Sequence, residues 1–471
     1  MPNAPEVNSV WDELLWRGLV CVSTDQGALK ELLDGPPIRF YCGFDPTAPS
    51  LHVGNLAQIL IMRRLQLAGH RPIALVGGST GLIGDPRPGG ERQLHSHEQV
   101  QEWVRALQQQ LSRFLDFKGA AAAVLVNNLD WTKSLTALDF LRELGKHFRV
   151  NAMLKKDAVA ARLSSTEGIS YTEFSYQILQ SLDFRQLYLD YKCVLQIGGS
   201  DQWGNITSGA DLIRKTEGAG VHAFGSPLLT ASDGSKFGKT EGNAIWLDAD
   251  LTSPWSFYQF FLNSDDADIP RLLRVFTFFT RSEIEDLNRS VRENASARLA
   301  HRHLAYSVTR LVHGADVADQ VLLACSVLFG DGGALGKTQT GLPRIDSDTL
   351  NDSSGVTTIK AQDNTYTPYS PEGVRFAGTF PVDPRFLRSI LFELPNATVS
   401  AHDLITHILQ KVGLCRSLSE ARRLISQGGI YVNNIKVTCP DALLDSFLDN
   451  SMPIRAAILR KGKKHLAAVF Y

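Results

Sequence analysis

Residues 38–76 read IRFYCGFDPTAPSLHVGNLAQILIMRRLQLAGHRPIALV, and this stretch decides the fold class. Residues 38–42 are a short apolar run suited to a buried strand. The run ends in Gly43-Phe44-Asp45-Pro46, a turn signal. A helical pattern follows from about Asn55 to Ala68, and Gly69 stops it. Residues 72–76 are a second strand, closed by Gly77-Gly78. Strand, helix and strand in that order make a crossover with parallel strands, so the fold class is α/β with a parallel sheet.

The same alternation extends along the first half of the chain. Residues 124–126 and 193–197 read as further strands between helical stretches, the latter closed by Gly198-Gly199. Residues 1–35 read as helices with a loop, and residues 1–250 as one α/β domain. Residues 251–330 are helical in pattern. Over 331–397 the composition shifts to Gly, Ser, Thr, Asp and Pro, as in a linker or irregular insert. A small α+β unit follows at 398–471. In it, Ser417-Leu418-Ser419-Glu420 fits a capping box. Gly428-Gly429 ends that helix, and residues 430–437 read as a hairpin turning at Asn433-Asn434.

A chain of 471 residues favours two to four domains. With 44% hydrophobic and 21% charged residues it supports large cores and argues against disorder. The net charge of -1 excludes a bulk-basic coat for nucleic acid but leaves room for local patches. The six cysteines are scattered without a C-x-x-C pair, so no metal site or disulfide framework is expected. No apolar run is long enough for a membrane span, and the acidic N-terminal stretch is unlike a signal peptide. The expected location is the cytoplasm.

The first crossover lacks both G-x-G-x-x-G and G-x-x-x-x-G-K-[ST]. Instead, His52 and Asn55 stand three apart at the mouth of a helix. They share a face beside free backbone N–H groups and the positive end of the helix dipole. Such a place suits phosphate, and Gly54 leaves room for a ring or ribose against the backbone. The competing reading is an ordinary turn capped by His and Asn. Asp45-Pro46-Thr47 and a later loop, Lys236-Phe237-Gly238-Lys239-Thr240, tip the balance toward phosphate. Two lysines beside a hydroxyl can stabilise charge as pyrophosphate leaves. Taken alone, that loop reads as a solvated basic turn. Tyr176, Gln180 and Asp183 fall at i, i+4 and i+7 of a helical segment among Phe174, Ile178, Leu179 and Leu182. That polar stripe suits a ligand with an ammonium group and a polar far end, a solvated face being the alternative.

HVGN at 52–55 and KFGKT at 236–240 resemble the HIGH and KMSKS signatures of class I aminoacyl-tRNA synthetases. YTEFSYQILQSLDF at 171–184, VLQIGGSDQWGN at 194–205 and ALVGGSTGLIGDPR at 74–87 are similar to segments of the bacterial tyrosyl-tRNA synthetase family. The resemblance implies a Rossmann-like catalytic domain at 1–250, a helical anticodon-proximal domain at 251–330 and a small basic RNA-binding domain at 398–471. It implies a ligase that activates L-tyrosine with ATP to tyrosyl-adenylate and transfers it to tRNA(Tyr). Magnesium would accompany the ATP, no tightly bound metal is expected, and the family implies a homodimer.

Residue by residue, the resemblance puts Tyr41 and Asp183 at the phenol hydroxyl and Asp85, Tyr176 and Gln180 at the ammonium group. Thr47, His52 and Asn55 match phosphate contacts used in the transition state. Gly199, Asp201 and Gln202 match contacts around the ribose and the tyrosyl carboxylate. Lys236 and Lys239 match the mobile-loop lysines, and Gly43, Asp45, Gly54 and Thr240 complete the ATP set. Asn55 stands where the signature often has a second His. Gly89 and Gly90 fill a region where the family commonly carries lysine, leaving either Arg87 or Arg92 to supply that charge.

Residues 400–471 hold ten Lys and Arg against five Asp and Glu. Arg416, Arg422, Arg423, Lys436, Lys461, Lys463 and Lys464 are the candidates for structured RNA, a solubilising basic face being the alternative. Arg214 and Lys215 read equally as acceptor-stem contacts or as plain surface. Two rival functions remain at this point: a tryptophanyl-type synthetase, and a non-catalytic RNA-binding protein on a synthetase scaffold.

Overall fold

The computed structural model describes residues 9–86, 90, 92, 94–232, 234, 235, 237–240, 243–329, 382–448, 452, 454–462 and 465–471, with Lys239, Thr240 and Asn243 described by backbone alone. Lys236, Lys463, Lys464, Arg87 and residues 331–381 of the expected insert lie outside the described residues. Contacts divide the chain into two compact units: residues 9–253 with 264–288, and residues 254–263 with 289–329 and 382–471.

The first unit is built on a six-stranded sheet in the order β1-β6-β5-β2-β3-β4. The strands are β1 Val22–Ser23, β2 Arg39–Phe44, β3 Arg71–Val76, β4 Val124–Asn127, β5 Cys193–Gly199 and β6 His222–Ser226. Neighbours pair parallel except β1, which runs antiparallel to β6 at the edge. The four strands read from sequence are β2 to β5. β6 escaped that reading because HAFGS is short and half of it is small residues. The strand order reverses beside β2, and open α/β sheets place ligands outside the carboxyl ends of strands at such a point. Register sets Tyr41 beside Ile73 on one side and Gln196 on the other. A two-stranded ribbon, β7 Lys239–Thr240 and β8 Asn243–Ala244, completes the strands of this unit.

The helix after β2 spans Val53–Leu67 and begins two residues before the sequence expectation. The reason is its cap: His52 Nδ1 accepts the Gly54 N–H at 3.0 Å, and Asn55 Oδ1 accepts the His52 N–H at 3.0 Å. Residues 264–288 group with this unit, which departs from the boundary at 250. Two guanidinium groups account for it. Arg17 donates to the carbonyls of Arg274, Thr277 and Phe279, and Arg64 to those of Arg274, Val275 and Thr277. They satisfy the orphan carbonyls at the end of the Ile269–Phe276 helix and complement its dipole.

In the second unit the Leu299–His313 helix packs on the Pro254–Leu262 and Ala315–Phe329 helices. Its sheet has the order β11-β10-β12-β13-β9, from β9 Asn396–Thr398, β10 Ile430–Val432, β11 Ile435–Lys436, β12 Ala456–Lys461 and β13 His465–Phe470. The hairpin turns at Asn433 and Asn434, with φ of 48° and 64°, as a two-residue hairpin turn requires. Ser417 Oγ accepts the Glu420 N–H, but the Glu420 carboxylate takes the N–H of Arg416 and not that of Ser417, so the capping box is shifted by one residue. The unit also starts earlier than 398. β9 pairs parallel with β13, and the Pro384–Glu393 helix packs on both. Its signals were present in the sequence: Asp383 as N-cap, Pro384 at the first turn, and Leu387, Ile390 and Leu391 on one face.

Candidate active site

Tyr41 lies on β2, 1% exposed, and its hydroxyl has no hydrogen-bond partner among the described residues. Its ring centroid is 5.2 Å from that of Phe184. The phenol is pushed well above its ordinary value by burial first and then by the negative charge of Asp183. Asp183 comes from the Tyr171–Tyr191 helix, which runs further than the segment expected from sequence. Its carboxylate accepts Asn128 Nδ2 at 3.0 Å and Trp131 Nε1 at 2.9 Å. Burial pushes the Asp183 carboxyl up to about 7, against those two bonds, which favour the charged form. Gln196, the β5 neighbour of Tyr41, is 3% exposed and its Oε1 has no partner among the described residues. A glutamine inside the apolar run VLQIG was the signal for it.

Asp45 sits where the chain leaves β2. Thr80 Oγ1 donates to its Oδ1 at 2.6 Å and the Tyr176 hydroxyl to its Oδ2 at 2.7 Å. Asn128 Nδ2 also donates to Thr80 Oγ1 at 3.0 Å, which joins Asp45 to Asp183 through side chains. Gly77 makes this possible: a Cβ there would fall 2.1 Å from Asp45 Oδ1 and 2.2 Å from Thr80 Oγ1. Asp85 accepts Gln202 Nε2 at 2.7 Å and Asn205 Nδ2 at 3.0 Å. Burial pushes the Asp85 carboxyl up to about 6, and Asp45 adds to that shift. Asp45 itself is raised by burial and raises Asp183 as well. The three carboxyl groups therefore form one field of excess negative charge. Arg92 opposes it at Asp45 and Asp85, and its Nε lies 3.3 Å from the Asp85 carbonyl oxygen. Such a cluster is matched by a ligand carrying a cation. Gln180 is half-buried on the same helix as Tyr176 and Asp183, while Gly43 and Thr47 are exposed at the carboxyl end of β2.

The helix mouth differs from the sequence expectation of free N–H groups. The Val53 N–H goes to the Ile245 carbonyl at 2.9 Å, that of Gly54 to His52 Nδ1, and that of Asn55 to the His52 carbonyl at 2.9 Å. His52 and Asn55 thus act as mutual caps. Because His52 Nδ1 accepts a hydrogen bond, the neutral ring carries its own hydrogen on Nε2, as a donor. Gly54 is needed beside this ring, since a Cβ there would lie 2.8 Å from His52 Cε1. Gly199 is half-buried at the end of β5, Asp201 is exposed, and Gln202 is committed to Asp85. Lys239 and Thr240 form β7, with their side chains outside the described residues.

In the second unit Arg416, Arg422, Arg423 and Lys436 are exposed. Lys461 differs: its Nζ lies 2.9 Å from both Glu420 Oε1 and the Leu414 carbonyl, so it is used inside the fold. Arg214 and Lys215 both pair with Asp211. All six cysteines are free. Among the described residues no helix is long and apolar enough to cross a membrane.

Sequence alone did not single out Thr80, Asn128, Trp131, Gln196 or Asn205. Asn128 and Trp131 share the short helix after β4, while Thr80, Gln196 and Asn205 each come from another element, so no single spacing rule could have gathered all five.

Comparison with known proteins gives the family. Residues 33–330 match the family of class I tRNA synthetases for W and Y, and residues 387–469 match the SYY-like C-terminal domain of tyrosine--tRNA ligases. A tyrosine--tRNA ligase of Leifsonia xyli is 55% identical over 468 residues, covering 99% of this chain and 95% of that relative. One of Streptomyces avermitilis is 49% identical over 464 residues, covering 98% and 99%. The crystal structure of a C-terminally truncated mitochondrial tyrosyl-tRNA synthetase of Aspergillus nidulans is 31% identical with a TM-score of 0.60, over 67% of this chain and 93% of that one. Matches of this extent, in both halves of the chain and over nearly the full length of the relatives, place it: the chain belongs to the bacterial-type tyrosyl-tRNA synthetases of class I.

Proposed function

We propose that this tyrosine--tRNA ligase holds its amino acid with the phenol hydroxyl between Tyr41 and Asp183 and the α-ammonium at Asp85, Tyr176 and Gln180. The observation that carries the reading is a buried, unpartnered phenol beside three clustered carboxyl groups. A buried donor and a buried acceptor reward a substrate hydroxyl. Phenylalanine would leave both unpaired at a cost of about 1–3 kcal/mol for each group. An indole offers no hydroxyl for the pair, which disfavours the tryptophan reading.

Activation joins the tyrosine carboxylate to the α-phosphorus of ATP as pyrophosphate leaves. No side-chain nucleophile is needed, so these residues act by positioning and by stabilising charge. Magnesium comes with ATP as part of the substrate. His52 donates from Nε2 to a phosphate oxygen while its Nδ1 holds the helix cap. Lys236 and Lys239 meet the charge that develops on pyrophosphate, with Thr47 and Thr240 as hydroxyl partners. Gly43, Asp45, Gly199 and Asp201 line the nucleotide end, and Gln202 orients Asp85. Arg92 supplies the cation that the family places as lysine after the residue matching Asp85.

Arg416, Arg422, Arg423 and Lys436 present the basic surface for tRNA(Tyr), and free cysteines fit a reducing cytoplasm. A second copy of the chain covers the apolar face of the first unit. There Leu138, Leu141 and Tyr171 are 76%, 56% and 65% exposed, beside a cavity of about 820 Å³ that Leu82, Ile83 and Phe140 help line. Sedimentation of the full chain tests this: a monomer at micromolar concentration would refute it. ATP–pyrophosphate exchange with each amino acid tests the main reading. Exchange driven by tyrosine alone is the expected result. Exchange driven by tryptophan, or RNA binding without any exchange, would overturn it.

A further inference from the structure

The two nucleotide motifs are far apart in sequence, yet one short segment holds both. The Ile245 N–H donates to the Gly238 carbonyl at 2.8 Å, and the Ile245 carbonyl accepts the Val53 N–H at 2.9 Å. His52 and Trp246 form an antiparallel bridge, and the Leu247 N–H donates to the Leu51 carbonyl at 2.8 Å. Ile245 and Leu247 are 7% and 2% exposed, so these bonds are sheltered from water. Gly238 is buried with φ of 88°, and a Cβ added to it would lie 3.4 Å from Val53 Cβ. Between Gly238 and Ile245 the chain makes the β7–β8 ribbon, with Lys239 opposite Ala244. The lysine loop is therefore stitched to the first turn of the Val53–Leu67 helix through one residue's backbone.

We propose that residues 244–247 are a positioning strap that sets the backbone of Lys239 at a fixed offset from His52, with Val53 and Gly238 as its anchor points. The proposal rests on the assignment of Lys239 and His52 to pyrophosphate. Its physical content is that the first N–H of the helix is spent on holding the loop and not on phosphate. Gly238 is at once the loop's left-handed turn and the close contact to the helix. Loosening either anchor shifts the lysine while leaving the cluster of Tyr41, Asp85 and Asp183 intact. A misplacement of about 1 Å costs about 10²-fold in rate.

Val53→Pro removes that one N–H at the first helical position, where proline is tolerated. His52, with φ of -123° and ψ of 174°, already has the extended conformation that a residue before proline needs. The expected result in tyrosine-dependent ATP–pyrophosphate exchange is a kcat lower by about 10- to 100-fold. The tyrosine Kd from equilibrium dialysis stays unchanged, and the melting temperature of the full chain falls by a few degrees at most, the cost of one buried carbonyl left unpaired. In a Lys239→Ala background, Val53→Pro adds no further loss. If Val53→Pro does not fold, Gly238→Ala carries the same cycle from the other anchor. Losses that multiply in the double variant, or full activity in both anchor variants, overturn the strap. Full activity of Lys239→Ala alone overturns the pyrophosphate assignment itself, and the strap with it.

Discussion

Asp183→Asn separates what the site needs from what the fold prefers. The carboxyl of Asp183 is pushed up to about 7 by burial, from an ordinary value of 3.8. The folded chain therefore holds a proton that the unfolded chain has already released. Stability from this group is fully present below the unfolded value and is lost as pH rises toward 7. Between pH 5 and pH 8 the loss spans about two pH units at about 1.4 kcal/mol each, or about 3 kcal/mol. The amide cannot ionise, so the variant escapes that loss. It keeps one acceptor for Asn128 or Trp131 and leaves the other donor poorly matched, a cost of about 1–3 kcal/mol at every pH. Urea unfolding of the full chain should therefore show the variant gaining on the parent by about 3 kcal/mol when pH is raised from 5 to 8. Asp45 and Asp85 titrate in both proteins and largely cancel in this difference. Discrimination against phenylalanine should fall in the same variant, because the acceptor of the phenol hydrogen is gone. A variant-minus-parent difference that does not change with pH would refute the reasoning that burial controls this carboxyl.

Arg162 and Glu173 form an ion pair at 3.0 Å with side chains 2% and 1% exposed, tying the Asp157–Leu163 helix to the first turn of the Tyr171–Tyr191 helix. Glu173→Ala should cost about 3–5 kcal/mol in urea unfolding, because it strands a buried guanidinium. Trp131→Phe removes the indole donor to Asp183 and should raise the KM for tyrosine by about 10-fold, a loss of about 1.5 kcal/mol, with the KM for ATP unchanged. Arg422→Ala with Arg423→Ala should weaken tRNA binding and reduce its salt slope by about two, read by filter binding at several salt concentrations. Tyrosine-dependent ATP–pyrophosphate exchange, which needs no tRNA, should be untouched by that pair.

Part of the candidate site stands out in the sequence because local chemistry leaves a local mark. The glycine-flanked crossover at 41–55, the polar stripe Tyr176-Gln180-Asp183 inside an apolar helix, and the lysine loop each break a pattern over a few residues. The Asn433-Asn434 turn and the Ser417 cap were legible for the same reason, since turn and cap chemistry depends on neighbours in the chain. The start of the C-terminal unit was misplaced because the composition of 331–397 masked a short amphipathic helix with its own N-cap. The helix mouth at His52 was misjudged because its N–H groups find partners in Ile245 and in the His52 side chain, and sequence cannot see a bond to a residue so distant.

The order of apolar runs and glycines by itself determined a parallel α/β sheet, a helical stretch and a small basic α+β unit. Alternation and capping are short-range properties that a linear text records. Only the tertiary structure decided that Asn128 bridges Thr80 and Asp183, that Lys461 is spent on Glu420, and that Arg17 and Arg64 draw residues 264–288 onto the first unit. The physical reason is the same in each case. A buried polar atom must find a partner, and which partner is in reach depends on where the strands and helices come to rest.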